Sequence, residues 1–168
     1  MYTYSLITDC NLILRSDGAR IPPDPANIDY QAYLAWVDAG GVATLALSDA
    51  QSKQIIALSI AYQNAIVQPI SYTSKGGVTQ TYQADANSIN NLSSMLLAFQ
   101  STQTVPDGFY WLSEDNTQVP FTYADMQALA QAIGTQANAA FHTLQTLKAQ
   151  VRAATTADQV QAITWPAT

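Results

Sequence analysis

The chain has 168 residues, a net charge of −6 and only 11% charged residues, against about a quarter in typical globular proteins. An acidic chain whose few Lys and Arg residues form no run is unsuited to a phosphate backbone, so we expect no nucleic-acid partner. Cys10 is the only cysteine, which excludes an internal disulfide and a cysteine-based zinc site. We expect its thiol to be reduced and half-buried.

No stretch approaches the roughly 18 to 20 consecutive apolar residues of a membrane span. The N-terminus also lacks the basic region and apolar run of a signal peptide. We therefore expect no membrane partner and synthesis in a cytoplasm. The length fits one domain, or one domain with an appendage.

The first predicted element is a hairpin that joins residues 12–14 to Ile21 through the turn Asp17-Gly18. A two-residue turn would place Arg15 opposite Arg20, and like charges opposed across a ladder are unfavourable. Either the loop is longer or an acidic partner neutralises the arginines. The longer loop is the simpler interpretation.

A short helix follows three prolines that hold the chain extended. Asn27 or Asp29 can cap it, and Gly40-Gly41 ends it. Because the segment is too small to have its own core, we expect its aromatic face to lie on a partner, with no flanking segment covering it. The predicted protein-interface residues are Tyr30, Tyr33, Leu34, Trp36, Arg15 and Arg20.

Residues 42–47 form a short apolar connector. A capping box at Ser48-Asp49-Ala50-Gln51 then predicts a helix that stops at Pro69. Its apolar residues form two lines, which predicts contacts on more than one side. The lines are Ile55, Ser59, Tyr62, Ile66 and Ile56, Ile60, Val67.

The sequence of residues 71–82 predicts a hairpin around the loop Lys75-Gly76-Gly77. A three-residue loop pairs Ile70 with Tyr82 and gathers the apolar side chains on one face, so we favour it over a two-residue Gly-Gly loop. A helix over residues 85–100 follows, with an apolar stripe at Ile89, Leu92, Leu96 and Phe99.

A second hairpin joins residues 109–112 to residues 119–121, after a turn at Pro106-Asp107-Gly108. A four-residue loop at 114–117 would place Leu112 opposite Val119 and Trp111 opposite Pro120. Since proline cannot donate to the ladder, its strand should be an edge.

Residues 122–125 cap the longest helix. Gly134 beside its stripe suggests a close crossing by another element. Thr156–Gln159 caps a final short helix that ends at Trp165-Pro166. The stripe of the long helix is Met126, Leu129, Ile133, Ala137, Ala140, Leu144, Leu147 and Val151.

The fold class is α+β: small antiparallel hairpins packed with a long C-terminal helix and two further helices, plus an N-terminal hairpin–helix docking element. We predict two domains, the docking element at 1–47 and the α+β domain at 48–168.

The sequence offers no catalytic, cofactor or metal site. His142, the only histidine, lies about 200° around its helix from the core stripe, with no nucleophile or acid proposed beside it. Asp107, Glu114 and Asp115 could pair as glycosidase carboxylates, but they lie in turns where such residues serve the backbone. We therefore expect a non-enzymatic protein. Five aromatic residues suit burial in the core or in a protein interface, with a sugar-binding platform as the alternative. They are Tyr30, Tyr33, Trp36, Trp111 and Trp165.

Residues 17–36 resemble the N-terminal signature of a family of small tailed-bacteriophage proteins encoded among the tail and tail-fibre genes. That signature is a DGA-IP turn, a proline-rich stretch and an N-DY-YL-W helix. Residues 71–85, 109–133 and 148–165 resemble the C-terminal domain of the same family, a domain of unknown function. The matching N-terminal residues are Asp17, Gly18, Ala19, Ile21, Pro22, Asn27, Asp29, Tyr30, Tyr33, Leu34 and Trp36.

The resemblance implies a structural component of a bacteriophage tail, attached to the tail fibre or the distal tail. The protein would be made in the host cytoplasm and retained in the virion, as part of an oligomeric tail with other tail proteins as partners. The alternative is a tail-fibre assembly chaperone that is absent from the mature particle. An enzyme that cuts host glycans is a third and weaker hypothesis.

Overall fold

A computed structural model describes residues 2–167 and confirms the α+β class. The chain forms two compact units. One contains the residues up to Ser59 together with those from Gln145, and the other is Ile60–Leu144. The predicted docking element thus shares its unit with later residues. The boundary at 47/48 stays a prediction about independent folding.

The first unit contains a four-stranded sheet, of which the sequence predicted only the hairpin. In chain order the strands are β1 (Tyr4–Ile7), β2 (Leu12–Arg15), β3 (Arg20–Ile21) and β4 (Thr44–Leu45). Their order in the sheet is β3-β2-β1-β4, with β4 parallel to β1. The apolar connector expected at residues 42–47 therefore contains a strand. Two residues are too few to show the alternation that identifies one.

The β2–β3 loop has three residues, as the charge argument favoured. The backbone N–H of Arg15 donates to the carbonyl of Ala19 at 2.9 Å. Gly18 takes a positive φ of 93°, which suits a residue without a side chain. Arg20 lies opposite Leu14 rather than opposite Arg15.

Helix α1 (Ile28–Asp38) begins at the Asn27 cap, one of the two predicted. The Asn27 side chain accepts hydrogen bonds from the backbone N–H groups of Asp29 at 2.8 Å and Tyr30 at 3.2 Å. The helix ends before Gly40, whose φ is 92°.

The capping box predicted for helix α2 (Leu47–Ile66) is wrong. The backbone N–H of Ala50 donates to Ala46, so the helix begins before Ser48. Gln51 donates its amide to the carbonyl of Val151 at 3.1 Å instead of returning to the cap. A helix that starts earlier places these side chains in its first turn, where they serve tertiary contacts.

The second apolar line of α2 was expected to contact another element. Ile56, Ile60 and Val67 are instead exposed in the described part of the chain. Leu58 is the large apolar residue that α2 buries fully.

The second unit opens with strands β5 (Ile70–Thr73) and β6 (Thr79–Tyr82), in the predicted register. Ser74 N donates to Val78 O at 2.9 Å, which closes the three-residue loop, and Gly77 takes a φ of 82°. Helix α3 (Ala86–Ala98) follows, capped by Asp85.

Strands β7 (Tyr110–Leu112) and β8 (Gln118–Pro120) form the second hairpin, but its predicted register is wrong by one residue. Trp111 lies opposite Val119, and Leu112 opposite Gln118. The loop has three residues because Asn116 takes a φ of 63°, a left-handed conformation that Asn tolerates.

Helix α4 (Tyr123–Ala153) begins at the predicted Thr122 cap, and its stripe is largely buried. A Cβ at Gly134 would meet nothing within 4 Å, so the predicted close crossing is absent from the described structure. Helix α5 (Ala157–Gln161) is capped by Thr156 and ends before Trp165. The core of the second unit contains Tyr82, Ala84, Leu92, Val119, Phe121, Tyr123, Met126, Leu129 and Ile133.

Candidate functional site

The aromatic residues of α1 lie on the N-terminal sheet. Tyr33 and Trp36 contact the buried Tyr4 of β1, with ring centroids 5.4 Å and 5.1 Å away. Tyr30 stacks on Tyr33 at 6.0 Å. The expectation that no flanking segment covers this face is therefore wrong, because β1 was not predicted and supplies the cover. A contact between these three side chains and a partner stays a prediction.

The remaining surface of α1 is apolar and open. Eight of its eleven residues are apolar, yet no residue of the helix is buried. Leu34 and Val37, which lie three residues apart on one side, are each 38% exposed, and Ile28 at the helix start is far more exposed. We name Leu34 and Val37 the outer pair of α1. Of the predicted interface residues, Leu34 is thus the apolar one best placed for a partner.

Arg15 connects the sheet to α1 rather than facing outward. Its guanidinium pairs with Asp17 at 3.0 Å and with Asp29 at 2.6 Å, and it lies over the ring of Tyr2. The hydrogen bond from Arg15 lowers the pKa of Asp17, as does the backbone N–H of Ala19. The carboxylates of Asp17 and Asp29 in turn raise the pKa of Arg15. Arg15 is therefore satisfied within the chain.

Arg20 is exposed and, like Leu34, available to a partner. The structure thus separates the six predicted interface residues into two groups. Leu34 and Arg20 lie outside, while the other four contribute to the packing of the N-terminal unit.

Gly41 has a packing role that sequence reasoning missed. A Cβ at this position would lie 2.3 Å from the ring of Trp36, so only glycine fits without moving that ring. The backbone N–H of Gly41 also donates to the carbonyl of Trp36 at 3.0 Å. The sequence indicated a helix stop here but gave no sign of the close approach.

The residues with catalytic potential lie at exposed positions. His142 is exposed, as expected, with its ring 6.1 Å from that of Phe141. Cys10 is exposed rather than half-buried, because it lies in the β1–β2 turn. Within residues 2–167, no group of three or more His, Cys, Asp or Glu residues could hold a metal ion.

The acidic turn residues Asp107, Glu114 and Asp115 are all exposed. Hydrogen bonds from Ser113 and Thr117 lower the pKa of Asp115, which therefore serves its own turn. In the part of the chain that the structure describes, no helix is both long enough and apolar enough to cross a membrane.

Asp49 is a buried carboxylate at the start of α2. Its Oδ2 accepts hydrogen bonds from the backbone N–H of Thr8 at 3.1 Å and the Thr8 hydroxyl at 2.8 Å, and lies 3.4 Å from Lys53 Nζ. The backbone hydrogen bond from Thr8 is the main cause that lowers the pKa of Asp49, against the opposing effect of burial. This carboxylate attaches α2 to the β1–β2 turn.

Asp125 has the most complete hydrogen-bond shell in the second unit. Its carboxylate accepts from Thr122 N at 2.8 Å, Thr122 Oγ1 at 2.6 Å, Lys75 N at 2.7 Å and Tyr72 Oη at 3.0 Å. Burial alone raises the pKa of Asp125, but these hydrogen bonds outweigh it and lower the pKa. The Asp125 carboxylate connects the β5–β6 hairpin to the start of α4, so its role is structural.

The same arrangement affects two tyrosines. Burial, followed by the hydrogen bond to Asp125, raises the pKa of Tyr72 to about 12. Burial also raises the pKa of Tyr82, and its hydroxyl is buried without a hydrogen-bond partner in the described structure.

A groove of about 610 Å³ lies between β7 and α3 in the second unit. Its lining combines aromatic and apolar groups with neutral polar side chains. Sequence reasoning singled out only Trp111 from this lining, as a general contact residue. The groove brings together residues 83–95 and residues 108–116, which belong to different elements, so no local pattern indicates it.

Comparison with known proteins identifies the family and nothing further. Neither a curated protein nor a solved structure matches the chain. The family model described as a domain of unknown function, DUF4376, matches residues 49–164, more than two thirds of the chain. The matched region runs from the first turn of α2 through α5 and contains both hairpins of the second unit, and the chain therefore belongs to the DUF4376 family.

Proposed function

We propose that this protein is a non-enzymatic structural component of a bacteriophage tail, attached to the tail fibre or the distal tail through its N-terminal element. The observation that carries the attachment is the state of α1, an apolar helix without a single buried residue. An apolar helix on a small sheet gains stability when a second surface covers it. The resemblance of residues 17–36 to a phage tail-associated family supports the choice of partner.

The outer pair of α1 forms the centre of the proposed contact. Leu34 and Val37 are half-exposed aliphatic side chains on a helix whose neighbouring side contacts the sheet through Tyr33 and Trp36. Arg15, paired with Asp29 near the helix start, holds α1 on the sheet. A partner therefore meets a preorganised surface, which lowers the entropic cost of binding.

The test is a mass-spectrometric inventory of purified particles of a phage that encodes the chain. We expect the chain in intact virions at a fixed ratio to a tail protein. Its absence would contradict the proposal. If soluble tail-fibre trimers also required co-expression of the chain, absence from the particles would establish the chaperone alternative.

A further inference from the structure

The groove beside β7 contains an unpaired strand edge. Among the described residues β7 has one strand partner, β8. Ser113 N donates to Thr117 O at 3.0 Å, which makes that pair a hydrogen-bonded rung. Rungs alternate in an antiparallel ladder, so Leu112 and Tyr110 occupy non-hydrogen-bonded positions. Their N–H and C=O groups therefore point to the opposite edge.

Two further observations support this assignment. Tyr110 lies opposite Pro120, and a proline, which has no N–H, fits a non-hydrogen-bonded rung without loss. Glu114, the next residue on the outward edge, donates its N–H to the carbonyl of Thr81 at 2.8 Å. This hydrogen bond to β6 closes one end of the edge, and the edge is open at Leu112 and Tyr110.

The groove has neutral polar and apolar lining residues, which we name its polar wall and its apolar floor. Gln83, Ser88 and Asn91, from α3 and the segment before it, are the polar wall. Met95 and Trp111 contribute apolar surface and pack against the core of the unit. Among residues 2–167, no Lys, Arg, Asp or Glu lines the groove.

We propose that this groove binds an extended, uncharged segment of a partner protein as an additional strand on β7. The outward main-chain groups of Leu112 and Tyr110 supply the hydrogen bonds, as in other cases of strand addition. Alternate side chains of the segment point to the apolar floor, and the others face solvent. A charged side chain on the floor would find no partner, which excludes it by desolvation cost.

The dimensions favour a single strand over a folded partner or a second copy. A volume of about 610 Å³ lies in the range of pockets that hold small ligands, so the groove has no room for a folded domain. The open edge is only three residues long. An edge of this length cannot supply the roughly 1,200–2,000 Å² of accessible surface that a stable protein interface buries. This proposal concerns the second unit and does not depend on the attachment through α1.

In the experiment, a displayed library of random heptapeptides, charged and uncharged, is selected for binding to the immobilised full-length chain. Enriched peptides are then synthesised and titrated against wild type, Leu112→Pro and Leu112→Ala. Proline removes the outward N–H of residue 112 and leaves the β7–β8 ladder bonds in place, while alanine keeps that N–H and removes the side chain. Far-UV circular dichroism checks that both variants fold.

We expect enriched peptides with uncharged residues and an apolar residue at every second position. Leu112→Pro should weaken their binding about fivefold or more, the loss of one main-chain hydrogen bond, and Leu112→Ala should weaken it less. If the proline variant does not fold, N-methylation of alternate peptide nitrogens provides the same test on wild-type protein. One methylation register should abolish binding and the other should not.

Three results would overturn the proposal. The first is the absence of enriched peptides, or binding that neither Leu112→Pro nor peptide N-methylation weakens. The second is dimerisation of the chain through this edge, seen as a mass change in sedimentation that Leu112→Pro removes. The third is binding of a neutral oligosaccharide from a glycan array that depends on Trp111 and is insensitive to Leu112→Pro.

Discussion

Replacement of Asp125 tests the structural argument for the second unit most sharply. Asp125→Ala leaves the donors on Thr122, Lys75 and Tyr72 without their acceptor. A buried donor left unsatisfied costs about 1–3 kcal/mol. Thr122 and Lys75 are exposed residues whose donors water can reach in part, so the half-buried Tyr72 hydroxyl contributes most. We expect a total loss of about 3 kcal/mol in the free energy of unfolding.

The Asp125→Asn variant separates the charge from the shape. Its amide keeps one acceptor oxygen but turns an NH2 group toward donors, so we expect a loss of about 2 kcal/mol at pH 7. The pKa of Asp125 is lowered in the folded protein, so its contribution is present above the unfolded value of about 3.9. It is lost progressively as the pH falls from about 4 through the folded pKa.

Urea unfolding followed by circular dichroism at pH 7, 5 and 3 measures these differences. The gap between wild type and Asp125→Asn should be equal at pH 7 and pH 5 and smaller at pH 3. Asp107→Asn in an exposed turn is the matched control and should change stability by no more than about 0.5 kcal/mol. A gap that widens at low pH, or an Asn variant as stable as wild type, would refute the reasoning.

Two further predictions concern single side chains. Tyr82→Phe removes a buried hydroxyl that has no partner, so the midpoint of urea unfolding should stay equal or rise, and a loss above about 1 kcal/mol would show that the hydroxyl is bonded. Gly41→Ala should destabilise the N-terminal unit by about 1–3 kcal/mol because the new Cβ meets the Trp36 ring, and thermal melting measures it. Gly134→Ala, at an open position inside α4, is its control and should stabilise by up to about 1 kcal/mol, so equal effects of the two substitutions would contradict the packing argument.

The elements predicted well from sequence are those determined by local patterns. The register of β5 and β6 follows from Gly77 at the left-handed loop position and from the face shared by Ile70 and Tyr82. The stripe of α4 repeats over many turns, so its periodicity is unambiguous. The register of β7 and β8 failed because Asn116, and no glycine, takes the left-handed position.

The cover of the α1 aromatics could not be predicted, because it depends on contacts distant along the chain. Tyr4 meets Trp36 only after β1 pairs with β2 and β4. The groove beside β7 likewise requires α3 and a hairpin that are separate in sequence. Propensity and periodicity describe single elements, and neither determines which elements pack together.

The most direct test of the attachment through α1 is quantitative mass spectrometry of virions that carry variants of the outer pair. Leu34→Asp with Val37→Asp places two charges on the proposed contact while the sheet-facing aromatics stay intact. We predict that this variant folds like wild type and falls at least about tenfold in its ratio to tail proteins, as expected when buried interface anchors are lost. Incorporation at the wild-type ratio would contradict the account.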